Sequence, residues 1–213
     1  MSTNGVSATF LGLGTIEIVL YVSTLMILGV ALAVIFYFWR LIKYSEITKG
    51  DITKILRRAG QIYVWKVLTN VTLSDAKGAA KVDQITVGPF GVLLTVCLHE
   101  RANYYGEMTG EHWTATGNET EGRRSFRKQL PNPAKTCQEA EEILRRKLIE
   151  ARITGVQVYT LVVRTQQKVV LFVQGSQEKC LDQGQLRAAL KTGRFQKDRG
   201  TDLEKILKVI QPQ

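Results

Sequence analysis

The chain has 213 residues and a formal net charge of +10 at neutral pH, and 45% of its residues are hydrophobic. This length allows one compact domain plus an appendage. The three cysteines, Cys97, Cys137 and Cys180, are scattered and form no Cys-x-x-Cys pair, which excludes a disulfide framework and a zinc site and predicts reduced thiols. The two histidines are far apart and no glycine-rich phosphate loop occurs, which argues against a catalytic triad and against the common nucleotide-binding loops.

An apolar segment dominates the N-terminal part of the chain. Residues 18–39 are 22 residues without one charge, and as a helix with a rise of about 1.5 Å per residue they would extend about 33 Å, enough to cross a bilayer core. Tyr21 at one end and Tyr37 and Trp39 at the other suit the two membrane interfaces. The sequence therefore predicts a transmembrane helix at 15–39, after a disordered extracytoplasmic tail at 1–14.

Basic residues are absent from residues 1–39 and begin immediately afterwards. The membrane-proximal ones include Arg40, Lys43, Arg57 and Arg58. The positive-inside rule therefore predicts a single-pass membrane protein with its N-terminus outside and a cytoplasmic domain at 40–213. Arg57 and Arg58 would lie on the outer face of an amphipathic helix that begins with a capping box at Thr48 and runs to Leu68, where either solvent or lipid headgroups would surround them.

The predicted cytoplasmic part is strongly basic. All 29 basic residues and 18 of the 19 acidic residues follow residue 39, which gives this part a charge of +11. Such a charge predicts attraction to a polyanion, either DNA or RNA or the anionic lipid of the inner leaflet. Charge alone does not choose between these partners.

A predicted β-hairpin carries the most informative residues. After a short strand near residues 71–73, two runs of β-branched residues flank the loop 88–91. If Val87 and Val92 close the turn, Asp83 lies opposite Val96. A second acid at that position would give two oxygen ligands for a hard metal ion, as metal-assisted phosphodiester cleavage requires. Because a valine stands there, the sequence assigns no metal site.

The hairpin segment 83–92 resembles the signature of the nuclease-related domain (NERD) family, which belongs to the restriction-endonuclease-like superfamily. The similarity covers roughly residues 55 to 190 and is weaker in its other segments, at 103–108, Trp113, 132–133 and 161–163. The resemblance implies an αβββαβ core and a site that pairs an Asp with a Glu-x-Lys on the next strand. It also implies an Mg²⁺ cofactor and DNA as substrate, provided that the catalytic residues are present.

Only Asp83 matches the catalytic residues of that family. Gln61 stands where the family has a Glu on its first helix, and Val96 and Leu98 stand at the Glu-x-Lys positions. Glu100 is the candidate for a relocated acid, but at about 3.4 Å per residue it would lie ~13 Å from the partner of Asp83. These departures predict a catalytically degenerate domain that has no cofactor. Mg²⁺ would be required only if catalysis survives.

The remaining elements were assigned from periodicity. The sequence predicts a strand or turn at 104–110, an exposed loop at 111–122, a helix at 136–151 and a hairpin formed by strands 156–163 and 168–173. Further helices are predicted at 185–190 and after a cap at Thr201, with a basic connector at 193–200 between them. The fold class is α/β, with a restriction-endonuclease-like mixed sheet flanked by helices and preceded by a single transmembrane helix.

A dense basic cluster follows the predicted loop. Its residues are Arg123, Arg124, Phe126, Arg127 and Lys128, and a phenylalanine among cations suits contact with nucleic-acid phosphates combined with base stacking. A solvated loop with one anchoring aromatic residue is the simpler interpretation. Three functions follow from these observations: a degenerate nuclease-related domain that binds nucleic acid, an active metal-dependent nuclease that uses Asp83 with Glu100 or Glu107, and a basic scaffold at the anionic membrane surface.

Overall fold

The structure is a computed structural model that describes residues 14–44, 48–100, 102–117, 125–166, 170–174 and 180–211. The predicted tail, apart from Gly14, lies outside the described residues, as do Arg123 and Arg124 of the basic cluster. The chain divides into two compact units, Met1–Ser45 and Glu46–Gln213.

The first unit contains one long helix, α1 (Thr15–Tyr44), which has 30 residues and extends beyond the predicted end at residue 39. Its segment Glu17–Trp39 is the one helix of the described chain that is long and apolar enough to cross a membrane. Two hydroxyl groups within this segment are satisfied by the helix itself, because Ser23 and Thr24 both donate to the carbonyl oxygen of Leu20. This leaves the helix with an apolar surface, as a lipid environment requires.

The second unit is a mixed α/β structure with two sheets rather than the single sheet that the sequence predicted. The five-stranded sheet has the order β1-β2-β3-β7-β9 and the four-stranded sheet the order β6-β5-β4-β8. In chain order the elements are α2 (Lys49–Tyr63), β1 (Lys66–Asp75), β2 (Gly78–Gly88), β3 (Gly91–Leu98), β4 (Asn103–Glu107), β5 (His112–Gly117), β6 (Phe126–Pro131), α3 (Pro133–Glu150), β7 (Val158–Arg164), β8 (Leu171–Gln174), β9 (Cys180–Leu181), α4 (Gln183–Leu190), α5 (Gly193–Gln196) and α6 (Leu203–Ile210).

Helix α2 begins with the predicted capping box, formed by Thr48 and Asp51, but it ends at Tyr63 instead of Leu68. Val64 adopts a left-handed conformation with φ of 59°, and the backbone of Trp65 then donates to the carbonyl oxygen of Gly60 at 2.9 Å. This turn reverses the chain and allows β1 to start at Lys66. The apolar residues from Val64 onwards therefore continue a strand rather than the helix.

The hairpin of β2 and β3 has the predicted register. Val87 pairs with Val92, and the additional pair Gly88–Gly91 shortens the connection to the two residues Pro89 and Phe90. Gly91 has a φ of +121°, and a Cβ there would overlap the carbonyl oxygen of Gln157. The backbone of Val92 donates to that same oxygen at 2.9 Å, so this close approach fixes the hairpin against the entry to β7.

The prediction of an exposed loop at 111–122 is wrong for its first half, which forms β5. Trp113 on this strand is fully buried, and its indole N–H donates to the carbonyl oxygen of Glu107 at 2.9 Å. The polar residues of β5 alternate with Trp113 and Ala115, which lie on the inner face of the sheet. With only two apolar residues among polar neighbours, the segment resembled a loop in composition.

The prediction that strands 156–163 and 168–173 pair as a hairpin is also wrong. β7 pairs in parallel with β3 in one sheet, and β8 pairs in parallel with β4 in the other. Helix α3 precedes β7 and begins three residues earlier than predicted, at Pro133, with Asn132 as its N-cap. The helix thus connects β6 of one sheet to β7 of the other, and the crossover accounts for the parallel pairing of β3 with β7.

Helices cover both faces of the five-stranded sheet. One core cluster lies between the sheet and helices α3 and α6, and a second lies between the sheet and helices α2, α4 and α5. A third cluster fills the inner face of the four-stranded sheet and includes Tyr104 and Trp113. This arrangement buries both faces of β2 and β3, on which the candidate site lies.

Candidate functional site

Asp83 lies on β2 and is 9% exposed. The β2–β3 pairing extends from Gly88–Gly91 to Gln84–Thr95 and ends one residue before the expected pair of Asp83 with Val96. Val82 and Ile85 pack in the same core cluster, although strict alternation along a strand would place them on opposite faces. The strand is therefore irregular at Asp83, and this irregularity frees its carboxylate for contacts other than a regular cross-strand pair.

Both oxygens of the Asp83 carboxylate have partners. The ammonium group of Lys49, the first residue of α2, donates to Oδ1 at 2.6 Å. The backbone N–H of Cys97 on β3 donates to Oδ2 at 2.7 Å. The Asp83 side chain is 11% exposed and that of Lys49 is 40% exposed, so the ion pair lies at the edge of the core with its cation towards solvent.

Three further polar groups extend this network across the same elements. Gln84 donates from its amide nitrogen to the hydroxyl of Thr53 at 3.3 Å, one helical turn after Lys49. The Cys97 thiol donates to the Gln84 carbonyl oxygen at 3.4 Å. Burial, followed by the negative charge of Asp83, raises the pKa of the Cys97 thiol to about 12. The thiol is therefore protonated at neutral pH and does not act as a nucleophile or a metal ligand.

These residues fall within one family domain. The model of the nuclease-related domain (NERD) family matches residues 49–165, more than half of the chain. The chain belongs to the NERD family. No curated protein and no solved structure is similar enough to match it.

The surroundings of Asp83 in this NERD domain offer few ligands for a divalent cation. Mg²⁺ binds through several oxygen ligands, usually including one or two carboxylates. At the two positions where the resemblance implies carboxylates, Gln61 is exposed on α2 and Val96 is partly buried, and at the position of the family's lysine Leu98 is buried. Among the described residues, no group of three or more His, Cys, Asp or Glu side chains could hold a metal ion. The residues around Asp83 therefore do not fit the metal that the family implies.

Glu100, the candidate for a relocated acid, has a different partner. Its carboxylate forms an ion pair with Lys128 at 3.1 Å, and this link joins the end of β3 to the edge strand β6. Its backbone carbonyl accepts a hydrogen bond from the Tyr104 hydroxyl at 3.2 Å. Glu107, the other relocated acid considered, is exposed on β4. The structure thus gives Glu100 a role in joining the two sheets.

The described part of the basic cluster is a strand rather than a loop. β6 is an edge strand of the four-stranded sheet, and Phe126, Arg127 and Lys128 on it are exposed. The Phe126 ring covers Gly117 of the neighbouring strand, so closely that a Cβ at Gly117 would overlap it. Lys128 is engaged by Glu100, while Arg127 pairs with no acid among the described residues. The role of this cluster in nucleic-acid binding stays a prediction.

Of the membrane-proximal basic residues, Arg57 and Arg58 are exposed on α2, whereas the side chains of Arg40 and Lys43 lie outside the described part of the chain. The contact between Lys49 and Asp83 was not predicted from the sequence. Lys49 is 34 residues from Asp83 in sequence, and no local pattern relates the two positions. The capping box that begins α2 at Thr48 was the available signal, because it places the side chain of the next residue at a fixed point in the fold.

Proposed function

We propose that this chain is a membrane-anchored nuclease-related domain protein that has lost metal-dependent cleavage and binds nucleic acid. The observation that carries the first part is the engagement of both Asp83 oxygens, by the Lys49 ammonium at 2.6 Å and by the Cys97 N–H at 2.7 Å. A cation entering this site would have to displace Lys49 from a largely buried carboxylate. It would then gain no compensating ligand from Val96 or Leu98, whose side chains contain no oxygen.

The ammonium group of Lys49 also supplies the positive charge beside Asp83 that a metal ion would otherwise supply. A buried carboxylate without a partner is strongly destabilising, and the ammonium group neutralises it with a single charge and a hydrogen bond. The pair fixes α2 to the central hairpin and thereby supports the fold. Because both of its oxygens are engaged in this way, the Asp83 carboxylate is not free to position an attacking water molecule.

Nucleic-acid binding is supported by charge. Residues 40–213 have a net charge of +11, and Arg127 on the edge strand β6 has no acidic partner among the described residues. Basic residues release counterions when they contact phosphates, and this drives association with any polynucleotide. We assign phosphate contact to Arg127, together with Arg123 and Arg124, which precede it in sequence.

Membrane anchoring is supported by the helix Glu17–Trp39. The absence of basic residues before Arg40 and their abundance after it favour an N-terminus outside and a domain on the cytoplasmic side. A tag that carries a reactive cysteine or a protease site is fused to each end of the chain, and the accessibility of each tag on intact cells tests this orientation. Access to the C-terminal tag before lysis would contradict it.

The loss of cleavage is tested with the full-length chain in detergent micelles. We expect no hydrolysis of single-stranded or duplex DNA with Mg²⁺ or Mn²⁺, and no saturable Mn²⁺ binding that depends on Asp83. Asp83→Asn tests the site, and Asp51→Asn, which removes a carboxylate from the exposed start of α2, is the matched control. Metal-dependent cleavage that disappears only in Asp83→Asn would establish an active nuclease. Cleavage that persists in this variant would arise from contamination.

Binding is tested by the salt dependence of affinity. The affinity for a polynucleotide should fall steeply with salt, and Arg127→Gln should reduce the slope of log K against log salt by about 0.7 to 0.9, the value for one phosphate contact. Arg58→Gln, which removes an exposed cation from α2, is the control and should leave the slope unchanged. Absent or salt-insensitive binding of the wild-type chain would contradict nucleic-acid binding.

A second candidate function is a basic scaffold on anionic lipid. It is favoured by Arg57 and Arg58, which are exposed, pair with no acid among the described residues and follow the apolar helix by few residues in sequence. In nanodiscs, substitution of both arginines by glutamate should then alter the hydrogen-exchange protection of the α2 backbone only when acidic lipid is present. The same result in purely zwitterionic lipid would exclude this function.

A further inference from the structure

The four-stranded sheet has one face that packs on the core and one face that is open. Residues on the inner face, such as Tyr104, Trp113 and Val173, are buried. Because side chains alternate along a strand, the residues between them point away from the core. We call this open side the outer face. One row of cross-strand-paired residues crosses its centre and consists of Gln129 of β6, Thr114 of β5, Tyr105 of β4 and Phe172 of β8.

Two aromatic rings are stacked on each other on the outer face. Tyr105 and Phe172 are directly paired across β4 and β8, their ring centroids are 4.7 Å apart and the ring planes differ by only 7°. They are 40% and 51% exposed, so each presents aromatic surface to solvent. Val170, on the same face of the chain leading into β8, is 47% exposed and extends the apolar strip.

The surroundings of the two rings are polar. The neighbouring row of the outer face contains Asn103, Thr116 and Arg127, which are also joined by cross-strand pairing. Arg127 is exposed and has no acidic partner among the described residues, whereas Glu107 lies on the opposite side of Tyr105 along β4. The face therefore has hydrogen-bonding groups beside the rings, a cation at one end and an anion at the other.

We propose that the outer face binds single-stranded nucleic acid, with unpaired bases stacked on Tyr105 and Phe172 and the backbone directed towards Arg127. This inference rests on the proposed function and names its ligand class. Aromatic side chains on an open sheet are a general means of binding unpaired bases, because every base has a flat face that can stack. In a duplex these faces are covered by neighbouring base pairs, so the rings distinguish single strands from duplex.

The size and chemistry of the face favour this ligand over a protein partner. Two half-exposed rings offer roughly 200 Å² of apolar surface, well below the ~800 Å² per partner of a stable protein interface. Threonine and asparagine side chains next to the rings can bind base edges. Arg127, which has no acidic partner among the described residues, matches a phosphate. It lies in the row next to the rings, two strands from Tyr105 and three from Phe172, which corresponds to about 10–14 Å across the sheet.

The test measures binding of a fluorescent oligothymidylate of about 15 nucleotides and a duplex of equal length to the full-length chain. The chain is placed in nanodiscs of zwitterionic lipid, so that anionic lipid does not compete. The variants are Tyr105→Leu and Phe172→Leu, which keep an apolar side chain, and Tyr105→Phe, which keeps the ring. Phe126→Leu tests the competing stacking residue of the basic cluster, because Phe126 has similar exposure on the same sheet but lies over Gly117 on the other face.

We expect each leucine variant to lose about 10-fold in affinity for the oligothymidylate, as the loss of one stacked base predicts, with little change for the duplex. Tyr105→Phe should bind like the wild type, and Phe126→Leu should lose less affinity than either Tyr105→Leu or Phe172→Leu. Photocrosslinking of an oligonucleotide that contains 5-iodouracil should place the crosslink on Tyr105 or Phe172. This second measurement uses the unaltered chain and does not depend on the folding of a variant.

Other outcomes overturn the inference. If the leucine variants bind the oligothymidylate as well as the wild type does, while binding stays salt-dependent, the stacking site is wrong and the proposed function survives. If the wild type binds neither nucleic acid, the proposed function fails as well. If Phe126→Leu loses as much affinity as Tyr105→Leu, the other face of the sheet is the binding surface. A change of oligomeric state in the leucine variants would make the outer face an interface between copies.

Discussion

Lys49 and Asp83, which are 34 residues apart in sequence, join the first turn of α2 to β2 through a 2.6 Å ion pair. The carboxylate of this pair is the one residue of the chain that matches the catalytic pattern implied by the family. Its second oxygen accepts the backbone N–H of Cys97, which takes the position of a regular cross-strand hydrogen bond. Asp83 is thus part of the packing between α2 and the central hairpin.

The first prediction concerns this ion pair. Lys49→Met should lower the free energy of unfolding by about 1–3 kcal/mol, because a largely buried carboxylate loses its only charged partner among the described residues. The double variant Lys49→Met/Asp83→Asn should lose less than the sum of the two single variants, since the two side chains interact directly. Thermal unfolding in detergent is followed by the fluorescence of the buried Trp65 and Trp113.

The matched control for this pair is Lys54→Met. Lys54 forms an ion pair with Asp51 at 3.0 Å on the same helix, but its side chain is 72% exposed. Solvent screens such a pair, and its loss should change stability by less than about 1 kcal/mol. Equal effects of Lys49→Met and Lys54→Met would show that the pair with Asp83 has no structural role.

The second prediction concerns the reactivity of the cysteines. Cys97, Cys137 and Cys180 are all buried, and the pKa of the Cys97 thiol is raised to about 12. At pH 8 only about one in 10⁴ of the Cys97 side chains is then a thiolate, the form that reacts with iodoacetamide. Mass spectrometry should find Cys97 unlabelled in the native chain and fully labelled after denaturation. Rapid native labelling at Cys97 would contradict the buried network.

The third prediction concerns a buried hydroxyl beside that network. Thr95 is fully buried on β3, and its hydroxyl finds no hydrogen-bond partner among the described residues. Thr95→Val removes the hydroxyl and keeps the shape, so the free energy of unfolding should rise by about 1 kcal/mol. Thr53→Val is the matched control and should lower it, because the Thr53 hydroxyl accepts from Gln84 and donates to the carbonyl oxygen of Lys49. A loss of stability in Thr95→Val would reveal a bound water molecule at this position.

Local signals in the sequence predicted the elements that they define. The capping box of Thr48 and Asp51 and the glycine-bounded hairpin are each set by a few adjacent residues, and the structure confirms both. Each depends on interactions between residues that are only a few positions apart in sequence. The family resemblance at the hairpin, confirmed over residues 49–165, supplied the α/β fold class.

Non-local relationships were not predicted. The division into two sheets depends on which strand pairs with β8, and the short sequence between β7 and β8 suggested a hairpin instead. β5 was missed because only two of its buried residues, Trp113 and Ala115, are apolar side chains, and they alternate with polar residues. The contact of Asp83 with Lys49 was not predicted because the two residues are 34 positions apart and no local sequence pattern links them. Such contacts arise from packing, which periodicity does not encode.

The last prediction concerns the turn between β1 and β2. The carboxylate of Asp75 accepts backbone hydrogen bonds from Lys77 and Gly78 and a 2.6 Å hydrogen bond from the guanidinium of Arg146 on α3. The hydrogen bond from Arg146, followed by the backbone hydrogen bonds, lowers the pKa of Asp75 below its usual value near 3.8. The ionised form is therefore favoured in the folded state, where it joins the hairpin turn to the helix.

A group with a lowered folded-state pKa stabilises the protein above its unfolded-state pKa and loses that effect as the pH falls through the folded-state value. The contribution of Asp75 should thus be complete at neutral pH and disappear below about pH 4. The difference in melting temperature between the wild type and Asp75→Asn should accordingly be largest at neutral pH and shrink as the pH falls below 4. Glu141→Gln, which breaks only the helical pair with Arg145, is the control. A difference that stays constant from pH 7 to pH 2 would show that Arg146 does not interact with the ionised carboxylate.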